Sequence, residues 1–360
     1  MKRRFTLLVT GAACAAWLGA AAPARSAAHG AQGRVLGIAF VGRMVSNLDR
    51  SVAFYEALGF REDPAASTAW RKDDVIDRLY GIRGAATRRA KMFVTNANSG
   101  HRFVVYLRQL KGVPRRDLSR HTAWTPGSSH FALVVPHANR LWARLKASGM
   151  LRARSWGGRL IPFPGQTRGA IAYITDPDGL DIELVNARTP AAAAHGRPAR
   201  AGLTPGVNHV GLVVLDSARE RAFYGGVLGG RLVSKRSPWL KGAFYDAAVG
   251  GHGNVLRFSN ESFPFVEAPG YRMNFELVEF RNRRGPVPAA RLSDIGVGYV
   301  GFEVDGLAAL LARARASGAR MVSDGILTLR GGTRVAMIRD PDVGGFIELV
   351  ERARNWRPGR

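Results

Sequence analysis

The 360-residue chain has one cysteine, Cys14, and it lies close to the N-terminus. Beyond that point no disulfide can form, and no thiolate can attack a substrate or bind a metal. Acidic residues are also few: 27 Asp and Glu stand against 53 Lys and Arg, leaving a formal charge of +26. Such a charge would suit a polyanion if it were gathered into a groove, because clustered cations release the counterions of phosphates. Here the basic residues, nearly all Arg, are spread through every segment without the interleaved aromatics that a nucleic-acid groove needs. We read them as a solvated, compositionally biased surface and expect no nucleic-acid partner. Long apolar runs are missing after the N-terminal segment, so no later stretch is expected to span a bilayer. What is present, 46% hydrophobic and 9% aromatic residues, is the composition of a globular protein long enough for two ordinary domains.

The first segment, "MKRRFTLLVTGAACAAWLGAAAPARSAAHG", joins a basic start, an apolar run and small residues suited to peptidase cleavage after Ala28. It reads as a secretory signal over residues 1–28, and Arg3 and Arg4 before Phe5 point to the twin-arginine route. The mature protein is therefore expected in the periplasm or outside the cell, with no membrane attachment. An uncleaved anchor over Phe5 to Ala22 is the competing reading.

The rest of the chain repeats. "NLDRSVAFYEALGF" at 47–60 returns as "DSARERAFYGGVLGG" at 216–230, "LWARLKASGM" at 141–150 as "LLARARASGAR" at 310–320, and "DPDGLDIELV" at 176–185 as "DPDVGGFIELV" at 340–350. The pairs Phe54/Phe223 and Gly149/Gly318 share one offset, so the halves are homologous. Each half is itself double: an apolar strand, an amphipathic helix ending in Gly, then further strands. "HVGLVV" alternates as a strand with His209, Gly211 and Val213 on one face. Asn47, Asp216 and Asp305 stand where helices should start, and Gly59, Gly149, Gly229 and Gly318 where they should end. The expected layout is a domain over 29–187 (modules 34–110 and 127–187), an Ala/Pro-rich linker over 188–205 and a domain over 206–354 (modules 206–281 and 296–354). His195, in the linker, is read as a spacer residue.

Carboxylates at inward strand positions demand an explanation. In "FELVEF", residues 275 to 280, Glu276 and Glu279 are three apart and must point to opposite faces. Burying a carboxylate is costly unless it is paired or metal-bound. The pattern puts one of them inward and the other outward.

Taken together, "HVGLVVLDSARERAFYGGVLGG", "SSHFALVV", "DPDGLDIELV" and "FELVEF" resemble the vicinal oxygen chelate superfamily, which includes glyoxalase I, extradiol dioxygenases and bleomycin-resistance proteins. The resemblance spans about residues 34–353. It implies an α+β fold of four βαβββ modules forming two cupped mixed sheets, each built by a pair of modules around a divalent metal. Carried over by position, the first module offers Phe40 and Tyr106, the second His130 and Glu183, the third His209 and Glu276, and the fourth Tyr299 and Glu348. Phe cannot ligate a metal, and a neutral Tyr ligates zinc or nickel poorly. Sequential pairing of modules would leave two imperfect sites. The exchanged pairing used by glyoxalases would gather His130, Glu183, His209 and Glu276 into one complete site and leave a degenerate second one, which is the simpler account. The resemblance thus makes Glu276 the inward carboxylate, with Glu279 outward and solvated.

The resemblance then implies a glyoxalase I-like lyase or isomerase acting on a small carbonyl or thiohemiacetal. Its zinc or nickel ion, preferred over iron or manganese, would stabilise an enediolate while Glu183 or Glu276 moves a proton. Two alternatives stand beside it. One is a non-catalytic small-molecule-binding protein like the bleomycin-resistance relatives. The other is a ring-cleaving dioxygenase, to whose pattern Tyr173 belongs, although Gln166 and its neighbours supply no acid-base histidine and Met337 replaces the second-half tyrosine. In each case the partner is a small-molecule substrate or ligand, and the protein is expected as a monomer or homodimer.

Overall fold

Strands whose alternate residues are apolar must bury one face, and here each module supplies three long ones. A computed structural model describes residues 33–353 apart from 66–67, 97–99, 136, 166–168, 187–205, 235, 267 and 284. The proposed signal with Cys14, and the linker with His195, lie outside the described residues. The first module contributes β1 (Arg34–Val45), β2 (Ala86–Thr95) and β3 (Arg102–Lys111), and the second β4 (Ser129–Val134), β5 (Ala170–Thr175) and β6 (Asp181–Asn186). The third adds β7 (Gly206–Val214), β8 (Val255–Phe265) and β9 (Ala268–Phe280), and the fourth β10 (Gly298–Asp305), β11 (Arg334–Arg339) and β12 (Phe346–Glu351). The described helices are α1 (Leu48–Ala57), α2 (Asp74–Tyr80), α3 (Ala138–Ala147), α4 (Ser217–Arg221), α5 (Ala243–Val249) and α6 (Leu307–Ala316). A π-helical turn, Ala222–Val227, continues α4.

Within every module the first and last long strands run parallel, β1 with β3, β4 with β6, β7 with β9 and β10 with β12. The last two long strands form an antiparallel pair. The modules join through their first strands. β4 pairs antiparallel with β7, and β1 pairs antiparallel with β10. The second module therefore shares a cup with the third, and the first with the fourth, in the exchanged arrangement. A single register pair, Ile38 with Phe265, links the two cups.

Capping follows the sequence at two helices and departs from it at a third. Asn47 accepts a hydrogen bond from the Arg50 N–H at 3.0 Å, and Asp216 from Ala218 and Arg219 at 2.8 and 3.3 Å. Asp305, expected to cap α6, instead ends β10 and lies 3.8 Å from Arg34. The first N–H of α6, from Leu307, is taken by Glu351 at 3.0 Å. Helices α1, α3 and α6 and the π-helical turn after α4 cover one side of the sheet, where Phe131, Ile182, Val210 and Phe275 join Phe54, Leu141, Phe223 and Leu310 in the main core. Residues alternating with these strand positions face into the cups, and that parity positions the site.

Candidate metal centre

Four inward side chains converge in the cup of the second and third modules. His130 and Glu183 come from the neighbouring parallel strands β4 and β6, and His209 and Glu276 from β7 and β9. The antiparallel register of β4 with β7 sets His209 opposite Ala132, and Gly211 opposite His130. The small residue at 211 matters for space. A Cβ on Gly211 would stand 2.0 Å from Cε1 of His130, so only glycine lets that ring lie against β7.

The two Nε2 atoms are 3.3 Å apart. Glu183 Oε2 lies 3.7 Å from His130 Nε2 and 3.4 Å from His209 Nε2, and Glu276 Oε2 lies 3.6 Å from each. All four ligating atoms fall within 4.8 Å of one another. Ligands bound about 2.1 Å from one centre stand roughly 3 to 4 Å apart, so the donors fit a common ion. Charge points the same way, since one buried and one half-buried carboxylate require about two positive charges, which a divalent ion between neutral imidazoles would supply.

Electrostatics within the cluster reflects this demand for positive charge. Burial disfavours the imidazolium of His209, but Glu276 and Glu183 outweigh burial and push its pKa up to about 9. Burial likewise opposes the Glu183 charge. It is outweighed by the hydrogen bond and charge of His209, by His130 and by the Tyr173 hydroxyl, and the Glu183 carboxyl stays below the usual carboxylate range. Tyr173 OH donates to Glu183 Oε2 at 3.0 Å. Its own pKa is raised well above the tyrosine norm by burial and by Glu183 and Glu276.

Of the residues singled out in the sequence, His130, Glu183, His209 and Glu276 are brought together. Phe40, Tyr106, Tyr299 and Glu348 occupy the matching positions of the other cup. Glu279 differs from expectation. It is 1% exposed and accepts hydrogen bonds from the Ser217 N–H at 3.0 Å, the Ser217 hydroxyl at 2.8 Å and Arg257 Nη2 at 2.6 Å. Sequence reasoning missed the Tyr173 contact with Glu183 and the clearance provided by Gly211. The signals existed: Tyr173 stands directly opposite Glu183 in the β5–β6 register, and Gly211 lies two residues after His209.

Models of the Glyoxalase/Bleomycin resistance protein/Dioxygenase superfamily match residues 37–184 and 208–337. Glyoxalase I from Zea mays superposes with a TM-score of 0.54 at 19% sequence identity, covering 89% of this chain and 92% of that one. A variant of the same maize enzyme gives 0.53 at 19% identity, with 89% and 92% coverage. At such identity these likenesses concern the fold. No curated protein sequence matches the chain.

Proposed function

Because this chain belongs to the Glyoxalase/Bleomycin resistance protein/Dioxygenase superfamily, we propose that its His130–Glu183–His209–Glu276 cluster is a divalent-metal centre of glyoxalase I-like chemistry. The observation that carries this reading is the convergence of two imidazoles and two carboxylates within 4.8 Å. A donor set of two nitrogens and two oxygens suits zinc or nickel and leaves positions for the adjacent oxygens of a substrate. When bound, the ion supplies a Lewis acid that polarises a substrate carbonyl.

The residues do the rest. His130 and His209 would hold the centre, and one glutamate takes the proton from the hemithioacetal carbon and returns it to the former carbonyl carbon while the hydroxyl proton passes to the former carbonyl oxygen, isomerising a hemithioacetal to a hydroxy thioester. The two glutamates are unequal. Glu183 is held in place by the Tyr173 hydroxyl, whereas the polar partners of Glu276 among the described residues are the two imidazoles. Glu276 is therefore the better proton carrier and Glu183 the more fixed ligand. Commitment of the Tyr173 hydroxyl to Glu183 also weakens the ring-cleaving reading. A small carbonyl or thiohemiacetal is the substrate class, and residues 1–28 direct the protein to the periplasm or exterior in this reading.

Metal analysis of the purified mature protein tests it. We expect one equivalent of zinc or nickel, lost in His130→Ala and in His209→Ala, and isomerase activity on the hemithioacetal of methylglyoxal with a small thiol. Glu276→Gln should keep the ion and lose activity. Wild-type protein without a stoichiometric ion, after incubation with zinc and nickel, would leave a binding protein as the better account.

A further inference from the structure

The cup of the first and fourth modules repeats the architecture of the metal centre with other chemistry. Phe40 stands in the place of His209, Tyr299 in that of His130 and Tyr106 in that of Glu276, and Glu348 alone keeps the type of its counterpart Glu183. The correspondence extends to clearance. A Cβ on Gly42 would meet the Tyr299 ring at 1.9 Å, as one on Gly211 would meet His130 at 2.0 Å. Apolar residues fill the remaining space, among them Leu79, Leu292 and Met337.

Into this apolar cup β3 sends a guanidinium. Arg108 is 5% exposed, and Val278 takes the equivalent place in the first cup. Its Nε donates to Tyr299 OH at 2.8 Å. Its Cζ lies 5.4 Å from the Tyr80 ring centroid and 5.5 Å from that of Tyr106. Glu348 is 4% exposed, and its Oε2 has no hydrogen-bond partner among the described residues. Burial works against the Arg108 charge and raises the Glu348 carboxyl too, while the Tyr299 oxygen, the aromatic faces and Glu348 favour the guanidinium, which stays in its charged form. An uncompensated cation would not persist in such surroundings, and π faces together with a carboxyl are the groups that compensate it.

We propose that Arg108 is the resident cation of the second cup, taking over with a covalently attached guanidinium the electrostatic role that an ion would have between the corresponding positions of the first. The cup is then closed to divalent ions. With the Arg108 side chain shortened it becomes a site for small planar organic cations of the guanidinium class.

The test is chemical complementation in the full chain, with melting followed in the presence of chelator so that the first cup's metal content does not enter. Arg108→Ala and Arg108→Met should both melt below wild type, the latter although methionine fills much of the same volume. Guanidinium at about 10 mM should raise the midpoint of Arg108→Ala in a saturable manner and leave wild type and Arg108→Met unchanged or slightly lower. Urea at equal concentration, planar but neutral, and sodium chloride at equal ionic strength should not restore it. An Arg108→Met protein as stable as wild type would overturn the assignment, because filling volume would then suffice. So would a guanidinium response of Arg108→Ala no larger than that of wild type. If Arg108→Ala does not fold, Tyr299→Phe decides: loss of the guanidinium's hydrogen-bond acceptor should lower the melting point, and an unchanged midpoint rejects the proposal.

Discussion

One hydroxyl separates the two glutamates of the first cup, and one missing methyl group lets a histidine reach them. Tyr173 donates to Glu183 at 3.0 Å, and groups that orient a metal ligand typically contribute about 10- to 100-fold in metal affinity. Tyr173→Phe is therefore expected to weaken zinc or nickel binding by about 10-fold, read by competition with a chromogenic chelator, with little change in thermal stability. Unchanged affinity would show that the tether is incidental. Gly211→Ala should act more strongly, by about 100-fold, because the added Cβ would stand 2.0 Å from Cε1 and 2.4 Å from Nε2 of His130. The imidazole would have to rotate away from its partners, so a variant binding metal like wild type would remove the steric account. At this scale the candidate ligands were legible in the sequence because the resemblance assigns each by position, and the internal repeat agrees with that assignment. Tyr173 was not, since its contact depends on the β5–β6 register, in which a slip of one residue would put it on the other face.

At the scale of elements, parity tells which residues share a face but not what covers that face. Glu279 was read as solvated for this reason. The N-terminus of α4 lies over it, and its carboxylate satisfies the Ser217 N–H at 3.0 Å where a negative charge is favoured. Asp305 failed as a cap for a related reason: β10 runs through it, and Glu351 reaches Leu307 from elsewhere in the fold. A second buried feature of α4 leads to a pH prediction. Glu220 and Asp340 are both fully buried, and Asp340 Oδ1 accepts the N–H groups of Asp342, Val343 and Gly344 at 3.0, 2.9 and 3.0 Å. In the first half Ser51 stands at the position of Glu220, and Arg43 faces the corresponding Asp176; in the second half Leu212 replaces that arginine. Burial, then Asp340 and Asp342, push the Glu220 carboxyl well above its ordinary value of 4.5. A folded-state pKa above the unfolded one means that the contribution of Glu220 is fully present below about 4.5 and is lost as pH rises through the folded value. Glu220→Gln, which mimics the protonated acid, should flatten this decline. Its melting point should gain on wild type progressively as pH rises above 5, measured across buffers of equal ionic strength, and parallel profiles would contradict the assignment of this decline to Glu220.

For the whole molecule, the exchanged pairing makes the two sequence repeats interdependent. Repetition made four modules legible, and the uneven distribution of ligand-type residues favoured the exchanged pairing, but strand pairing itself is a long-range property that local pattern does not encode. The first repeat supplies His130 and Glu183 to the first cup and the second supplies His209 and Glu276, with β4–β7 and β1–β10 as the seams between them. The centre is thus completed within one chain, and no second copy is needed to supply a ligand. This has a direct consequence for a cut between residues 187 and 206, made at an introduced protease site in the folded protein. Because two antiparallel seams and a common core join the repeats, the nicked chain should elute as one species at native size, keep its metal and melt cooperatively. Denaturing the nicked protein and separating the fragments should yield two pieces that each bind the ion far more weakly, by more than 100-fold, since each carries only half of the donors. Remixing them should restore full affinity. Fragments that part under native conditions, or a single fragment that holds zinc as tightly as the whole, would mean that each repeat closes its own cup.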